Sequence, residues 1–368
     1  LVKRLQEQQQ DFKLYGIILL ETFTMLLPKN EERMASIKDV ARTAGVSIAT
    51  VSRVLSNQAH VRPAVRERVL AAVEQLDYRP NLLARSFRSQ QSNTIGLIVS
   101  DIRNPFFTSI SRAVEDTTYE QGFKFVLCNT DENPEKETIY LNLMRDENVA
   151  GVIFSPTRQT AAHFADLHLT FPTVVIDRSI SHADVDVVLL DNVDAAYRLT
   201  THLIDNGYRD IAALCGEMST TGRERYAGFE KALREHDLEP RAEHVKYLLP
   251  RIEEGYTTTL KLLSSVTHPD ALLTTNSMLA AGALQAIREH NLVIPDDIAL
   301  VTFDETTWAA LVQPPITLIA QPTYEIGKTA TELLLQRIAD PERSTRQVIM
   351  KGQLLIRGSS ASQKRVVG

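Results

Sequence analysis

Two hydrophobic periods divide the chain. Between residues 35 and 92 apolar side chains recur at helical spacing, whereas from residue 93 onward short apolar runs alternate with amphipathic stretches. In the first region Ser36 followed by Asp39 is a capping-box start, in which the hydroxyl accepts from an orphan N–H of the first turn. That helix stops at Ala44-Gly45-Val46, where Gly45 supplies a tight turn of positive φ, and Ser47 caps a second helix, Ile48 to Leu55. Val40, Ala41, Val46, Val51 and Val54 form the inner face of this helix-turn-helix. A third helix starts near Pro63, and its Val65, Val69, Ala72, Val73 and Leu76 close a small core. Tyr78-Arg79-Pro80 breaks it, and Asn81 can cap a further run, Leu82 to Arg88. Isolated helices shorter than about 12–15 residues are marginal, so this run orders only against a partner.

Beyond residue 93 the apolar runs Ile95–Val99, Phe123–Leu127, Val152–Phe154, Val174–Ile176, Val187–Leu190, Ile211–Leu214, Ala271–Leu273 and Ala299–Phe303 suit strands buried on both faces. Amphipathic stretches lie between most of them, among them Phe107–Tyr119, Lys136–Arg145, Ala195–Ile204, Arg225–Arg234, Ile252–Leu263 and Leu279–His290. Such alternation predicts doubly wound α/β layers, and its extent exceeds one ordinary sheet. The expected fold class is therefore an all-α helix-turn-helix head joined to an α/β body of two doubly wound lobes with a cleft between them.

Composition sharpens this division. The chain has 368 residues, enough for two or three domains, with 43% hydrophobic and 23% charged side chains, so neither disorder nor a fibrous fold fits. Its two cysteines, Cys128 and Cys215, exclude a disulfide scaffold and a four-cysteine zinc site, and inert packing is expected of both. The net charge of −6 conceals an asymmetry: residues 34–92 hold nine basic and four acidic side chains, residues 93–368 hold 26 and 37. A compact basic head on an acidic body points to a small polyanion-binding module on a larger one. The apolar stretch Leu14–Leu27 is interrupted by Glu21 and is followed by no small-x-small cleavage site, so residues 1–33 read as an upstream extension without a fold of its own. Met34 reads as the usual start, no membrane segment is expected, and a cytoplasmic location follows.

At this point the residues resemble a known family. Ile37-Lys38-Asp39-Val40-Ala41 with Ala44-Gly45-Val46-Ser47-Ile48-Ala49-Thr50-Val51-Ser52-Arg53-Val54-Leu55 resembles the head of lactose/galactose-repressor-type transcription regulators. Tyr78-Arg79-Pro80-Asn81 with Leu83-Ala84-Arg85-Ser86 resembles that family's hinge. The resemblance implies that helix Ile48–Leu55 enters the major groove of DNA and that Asn81–Arg88 folds in the minor groove. Chemistry agrees: Ile48 and Ala49 offer apolar contact to thymine methyls, Arg53 can donate a fork to guanine, and Ser47, Thr50 and Ser52 suit phosphate oxygens. An alternative for Ile48 is the head's own core. The hinge candidates are Asn81, Ala84, Arg85 and Phe87, the last standing where the family usually has a leucine wedge; a phenyl ring can also wedge between base steps.

The remainder resembles the same family's sugar-binding module, itself similar to periplasmic sugar-binding proteins. Expected boundaries are 34–80 for the DNA-binding head, 81–92 for hinge and linker, 93–358 for the body and 359–368 for a tail. The resemblance implies three passages between lobes, near Leu190–Asp191, Leu318–Ala320 and residues 343–348. Lobe N then comprises about 93–190 and 320–345, and lobe C about 191–319 and 346–358. Ligands of such folds sit at the strand ends facing the cleft. Candidates there are Phe106 or Phe107 as a stacking ring, Asp177 and Arg178 as acceptor and donor fork, Arg223 where the family places an effector-binding arginine, and Asn276 and Asp304. A helix-face pair is the expected role of Arg225. Arg178 and Arg223, with Arg103, lean toward a sugar acid or phosphosugar.

Catalytic patterns are missing. No two glycines lie two apart, so no G-x-G-x-x-G occurs, and there is no Gly-x4-Gly-Lys, H-E-x-x-H or G-x-S-x-G. The expectation is a homodimeric regulator, a repressor, binding a near-palindromic operator under control of a carbohydrate-type effector, with no cofactor and no metal. The alternative is a sugar-binding receptor protein without DNA-dependent function. A tail without leucine heptads argues for a dimer over a coiled-coil tetramer.

Overall fold

The computed structural model of the chain describes residues 35–55, 61–78, 92–180, 184–217 and 219–361. The expected extension, the hinge candidates Asn81, Ala84, Arg85 and Phe87, and most of the tail lie outside the described residues. The chain divides into two units, Leu1–Ser89 and Gln90–Gly368.

In the first unit three helices surround one small core: α1 (Ile37–Ala44), α2 (Ile48–Leu55) and α3 (Pro63–Gln75). The Asp39 amide donates to Ser36 Oγ while the Ser36 amide donates to the Asp39 carboxylate at 3.0 Å, so the capping box closes in both directions. This hydrogen bonding holds the Asp39 carboxyl below the usual carboxylate range. Gly45 takes φ 63°, and the Val46 amide reaches back to the Ala41 carbonyl at 3.0 Å. Val40, Val51 and Val69, one from each helix, are fully buried together.

The second unit carries two six-stranded sheets. Sheet order in lobe N is β11-β5-β4-β3-β1-β2, from β1 (Thr94–Val99), β2 (Lys124–Asn129), β3 (Gly151–Phe154), β4 (Thr173–Ile176), β5 (Asp186–Leu190) and β11 (Gln347–Met350). Lobe C repeats it as β12-β10-β9-β8-β6-β7, from β6 (Ile211–Gly216), β7 (Val245–Leu248), β8 (Ala271–Thr274), β9 (Ala299–Phe303), β10 (Thr317–Ala320) and β12 (Gln353–Leu355). All pairings are parallel except β10 with β12. Helices cover both faces of each sheet, which is why the strands read as unbroken apolar runs: along β1, Ile95, Leu97 and Val99 join one core cluster and Ile98 the opposite one.

The chain passes between lobes at Asp191, at Gln321–Pro322 and at Lys351–Gly352. The third passage lies beyond the expected 343–348, because Gln347–Met350 pairs with Val187–Leu190 and so extends lobe N. Likewise Leu318–Ala320, expected as a crossing, is the body of β10, and helix Thr323–Ala339 follows it on lobe N.

In lobe C the helices Ile252–Leu263 and Ser277–Glu289 approach until their backbones touch. A Cβ placed on Gly282 would lie 2.0 Å from the Ile252 carbonyl oxygen and 2.5 Å from the Tyr256 amide nitrogen. Only a hydrogen fits there, so Gly282→Ala forces the helices apart. We expect it to destabilise the body by about 1–3 kcal/mol, the usual range for overpacking, read as a lower midpoint of urea unfolding followed by far-UV circular dichroism.

Candidate functional site

The head presents α2 to solvent along one edge. Ser47, Ala49 and Arg53 are exposed, Thr50 and Ser52 are half-exposed, and Val51 and Val54 turn inward. Ile48 is half-buried and packs against the core cluster, so its methyl groups are only partly on offer outward. Ser47 Oγ accepts from the Thr50 amide at 3.2 Å and lies 2.9 Å from the Thr50 hydroxyl, so the helix entry is fixed by the pair expected to meet phosphate. Arg53 pairs with no described acid. An arginine fork between small apolar and hydroxyl groups on one exposed helical edge is chemistry suited to a base edge flanked by phosphates.

In the body, a cavity of about 400 Å³ lies at the carboxyl ends of the strands, lined by both lobes. Phe106, Phe107, Asp177, Arg178, Asn276 and Asp304 all line it. The two rings meet edge to face at 4.9 Å and also belong to the lobe N core. Asn104 places them, since its side chain caps helix Pro105–Glu120 by accepting from the Phe106 amide at 3.1 Å.

Asp177 and Asp304 occupy equivalent places, each directly after a strand, β4 and β9, and each in left-handed backbone, φ 71° and 73°. Asp304 accepts from the Ser277 amide at 3.2 Å and from Gln321 Nε2 at 2.5 Å. Asn276 caps helix Ser277–Glu289, its Oδ1 accepting from the Leu279 amide at 2.9 Å. Burial pushes the Asp177 carboxyl up to about 6; Arg178 and Arg225 oppose this, and Glu132 and Asp304 add to it.

Arg178 is buried and forks onto Glu132, with Nη1 also donating to the Pro156 carbonyl at 2.9 Å. Burial disfavours its charge, but Glu132 and Asp177 outweigh that and hold it above the ordinary arginine value. Arg103, at the mouth, forms a two-pronged pair with Asp101 at 2.9 Å. Arg158 of lobe N lies 3.5 Å from Glu217 of lobe C.

Arg223 and Arg225 exchange the places expected of them. Arg223 is exposed and lies outside this cavity, whereas Arg225 is buried in its floor. Arg225 Nε donates to Asn192 Oδ1 at 2.8 Å, Nη1 donates to the Thr275 carbonyl, and the guanidinium lies 4.1 Å over the Phe303 ring. Burial lowers its pKa, against the pull of Asp304 and Asp177. The signal was present in the sequence: Gly222, Arg225, Gly228, Phe229, Ala232 and Leu233 form one buried stripe at helical spacing, which turns Arg225 inward and Arg223 outward. Asp131, Glu132, Thr275 and Gln321 also line the cavity and were not anticipated. With Arg223 outside and Arg178 and Arg103 each paired to an acid, the expected preference for an anion in this cavity loses its basis.

Among the described residues no group of histidine, cysteine and acidic side chains could hold a metal ion, and no helix is long and apolar enough to cross a membrane. Cys128 and Cys215 are buried, and burial pushes the Cys215 thiol up to about 12, far from a reactive thiolate.

Comparison with known proteins adds names to this geometry. Residues 36–81 match bacterial regulatory proteins of the lacI family, and residues 200–360 match a periplasmic binding protein-like domain. The HTH-type transcriptional repressor PurR of Haemophilus influenzae (strain PittEE) is 36% identical over 335 residues, spanning 89% of this chain and 99% of that protein. The lac repressor dimer bound to operator and the anti-inducer ONPF is similar in structure, with a TM-score of 0.80 and 27% identity over 89% of this chain and 100% of that one. A complex of the transcriptional regulator CelR with cellobiose gives a TM-score of 0.66 at 27% identity over 88% and 99%.

The raised Asp177 carboxyl makes stability depend on pH. The unfolded chain releases this proton near 3.8, the ordinary aspartate value, and the folded chain only near 6, so the folded state loses stability as pH rises between them. Asp177→Asn removes this penalty. We expect the variant to match the wild type at the acid end of that window and to exceed it by at most about 3 kcal/mol above it, measured as the difference between their urea-unfolding free energies across pH.

Proposed function

The chain belongs to the lacI family of bacterial regulatory proteins, and from that membership we propose how its parts divide the work. It is a DNA-binding transcriptional repressor whose body binds a small-molecule effector, and it is not an enzyme. Our reading is that a homodimer in the cytoplasm places two α2 helices on the half-sites of a near-palindromic operator, since a two-fold protein matches a two-fold site. Ser47, Ile48, Ala49, Thr50, Ser52 and Arg53 carry that contact. Asn81, Ala84, Arg85 and Phe87 are assigned to the minor groove, with Phe87 as the wedge that kinks the duplex.

For the effector we propose a neutral polyhydroxylated carbohydrate held by Asp177, Asp304, Asn276 and Arg225, with Phe106 or Phe107 against the ring. The carrying observation is charge satisfaction. Arg103, Arg158 and Arg178 are each paired to an acid of the same cavity, Arg251 lies exposed at its mouth, and Arg225 is held by neutral acceptors. Acceptors and donors then alternate across the floor without a free cationic fork, an arrangement that matches hydroxyls better than a carboxylate or phosphate. The CelR complex holds cellobiose, which supports this class. Calorimetry against a panel of neutral sugars, sugar acids and phosphosugars tests it: tight binding of an acid with none of any neutral sugar refutes the assignment.

Effector binding changes the relation of the lobes and thereby operator affinity, with coupling of about 1–3 kcal/mol as is typical between sites. We expect Arg53→Ala to weaken specific operator binding by about 1–3 kcal/mol in a salt-controlled assay, through loss of a bidentate base contact. Asp304→Ala should bind operator normally and lose its response to effector, checked by titrating the effector into the operator complex.

A further inference from the structure

Glu224 stands between the exposed Arg223 and the buried Arg225 on the helix Thr220–Glu235 of lobe C, and its carboxylate takes one hydrogen bond on each oxygen. Ser179 Oγ, from the segment that follows β4 in lobe N, donates to Oε1 at 2.6 Å. Asn192 Nδ2 donates to Oε2 at 2.8 Å, and Asn192 is the first helical residue after the passage at Asp191. The other end of the same amide closes the chain, because Asn192 Oδ1 accepts from Arg225 Nε at 2.8 Å. One carboxylate therefore joins lobe N, the first passage between lobes and the cation in the cavity floor. Ser179, Asn192 and Glu224 all lie outside the lining of the main cavity.

Polarity runs one way along this chain. A guanidinium only donates, so Asn192 must turn its amide oxygen to Arg225, and its NH2 group then needs an acceptor on the opposite side. Asn192 is 2% exposed, so that acceptor has to come from the protein, and Glu224 supplies it. Ser179 has the complementary duty: by holding the second oxygen it fixes the rotation of the carboxylate. Its bond is short and charge-assisted, the strong kind, yet it crosses between lobes and is lost once they part by about 1 Å.

We propose that Glu224 is a positioning residue for effector binding, which makes the alignment of the Arg225 guanidinium conditional on the approach of the lobes. With the lobes together, Ser179 fixes the carboxylate, the carboxylate fixes the Asn192 amide, and the amide presents Arg225 to the cavity. With the lobes apart, the first link is released and the others loosen in turn. An effector that accepts from Arg225 then binds the closed arrangement more tightly and draws the population toward it. This inference rests on the reading of the main cavity as the effector site.

The test reads Arg225 itself and uses neither effector nor DNA, so its failure is distinguishable from failure of that reading. In full-length protein labelled with nitrogen-15, the Arg225 Nε–H resonance is identified by its loss in Arg225→Lys, and its exchange with solvent is followed by NMR. A buried, bonded N–H exchanges through local opening, so Ser179→Ala, which breaks only the cross-lobe link, should speed exchange about tenfold, the loss of one charge-assisted hydrogen bond. Glu224→Ala should speed it at least as much, and the double variant no more than Glu224→Ala alone, since both act in one chain. Glu224→Gln should restore most of the protection: its amide oxygen can accept from Asn192 while its NH2 donates to a reversed Ser179 hydroxyl. Arg158→Gln breaks another cross-lobe contact, an exposed ion pair of little weight, and should change the rate by less than about twofold. Rapid exchange already in the wild type, an unchanged rate in Ser179→Ala, an additive double variant, a Glu224→Gln rate equal to that of Glu224→Ala, or an equal rise in Arg158→Gln would each overturn the proposal.

Discussion

The body is organised around one buried cation. Arg225 sits in the cavity floor with no carboxylate in direct contact; an amide oxygen, a backbone carbonyl and an aromatic face hold it, and the nearest compensating charges are Asp304 of its own lobe and Asp177 of the other. Moving a charge out of water costs several kcal/mol even after relaxation, and dispersed acceptors offset this only while they keep their places. Asp304 and Phe303 end the strand beside β8 and β10 and move with Arg225, whereas Asp177 belongs to lobe N. Any change in lobe separation therefore changes the field at Arg225. A ligand that supplies acceptor oxygens to this guanidinium has a stake in which separation prevails, and that differential interaction is what a population shift requires.

The two aspartates show how duplication serves this arrangement. Both lobes end the same strand of the same sheet order on an acidic residue in left-handed backbone, a conformation that costs a non-glycine residue on the order of 1 kcal/mol or more. The surrounding lattice of parallel strands over-determines it: the Asp177 amide donates to the Val188 carbonyl and the Asp304 amide to the Ile319 carbonyl, in each case on the neighbouring strand. What differs is the partner of the side chain. Asp304 is satisfied by an amide and a glutamine, while Asp177 is left with charges and a 3.5 Å approach from Ser155. The same local geometry thus yields one settled acceptor and one that burial drives toward the neutral form.

How far these features were legible in the sequence follows from burial. Strands covered on both faces leave continuous apolar runs, and those runs located β1, β3, β4, β5, β6, β8 and β9; the run Phe123–Leu127 located the more exposed edge strand β2 as well. Edge strands leave weaker traces: Val245–Leu248 and Gln347–Met350 are only half-buried, mix polar with apolar residues, and were not anticipated as strands. The rule that ligands meet strand ends pointed to Asp177, Asn276 and Asp304, and these three do line the cavity, because a polar side chain directly after a buried strand has few other places to go. It could not recover Glu132 or Gln321, which arrive from loops whose direction is set by tertiary packing. In the head, the capping box and the glycine turn were local signals and were read directly, since their hydrogen bonds span only three or four residues.

The pair Arg223 and Arg225 marks the limit of reading by motif alone. Two residues apart on a helix, their side chains diverge by roughly 200° at 3.6 residues per turn, so no single pocket holds both from the same face. Motif position singled out the first, while the stripe from Gly222 to Leu233 placed the second inward. The same phase relation gives the helix Thr220–Glu235 two duties: its inner arginine forms the floor of one cavity and its outer arginine the wall of another. Gly222 and Gly228 let this helix lie directly on neighbouring backbone, with Gly216 and Val193 carbonyls 2.2 Å from where a Cβ would be. A rod seated so closely moves as a unit with lobe C. Whatever displaces Arg223 is therefore transmitted to Arg225 without an intervening flexible segment, so the outer surface of lobe C and the cavity floor are mechanically one piece.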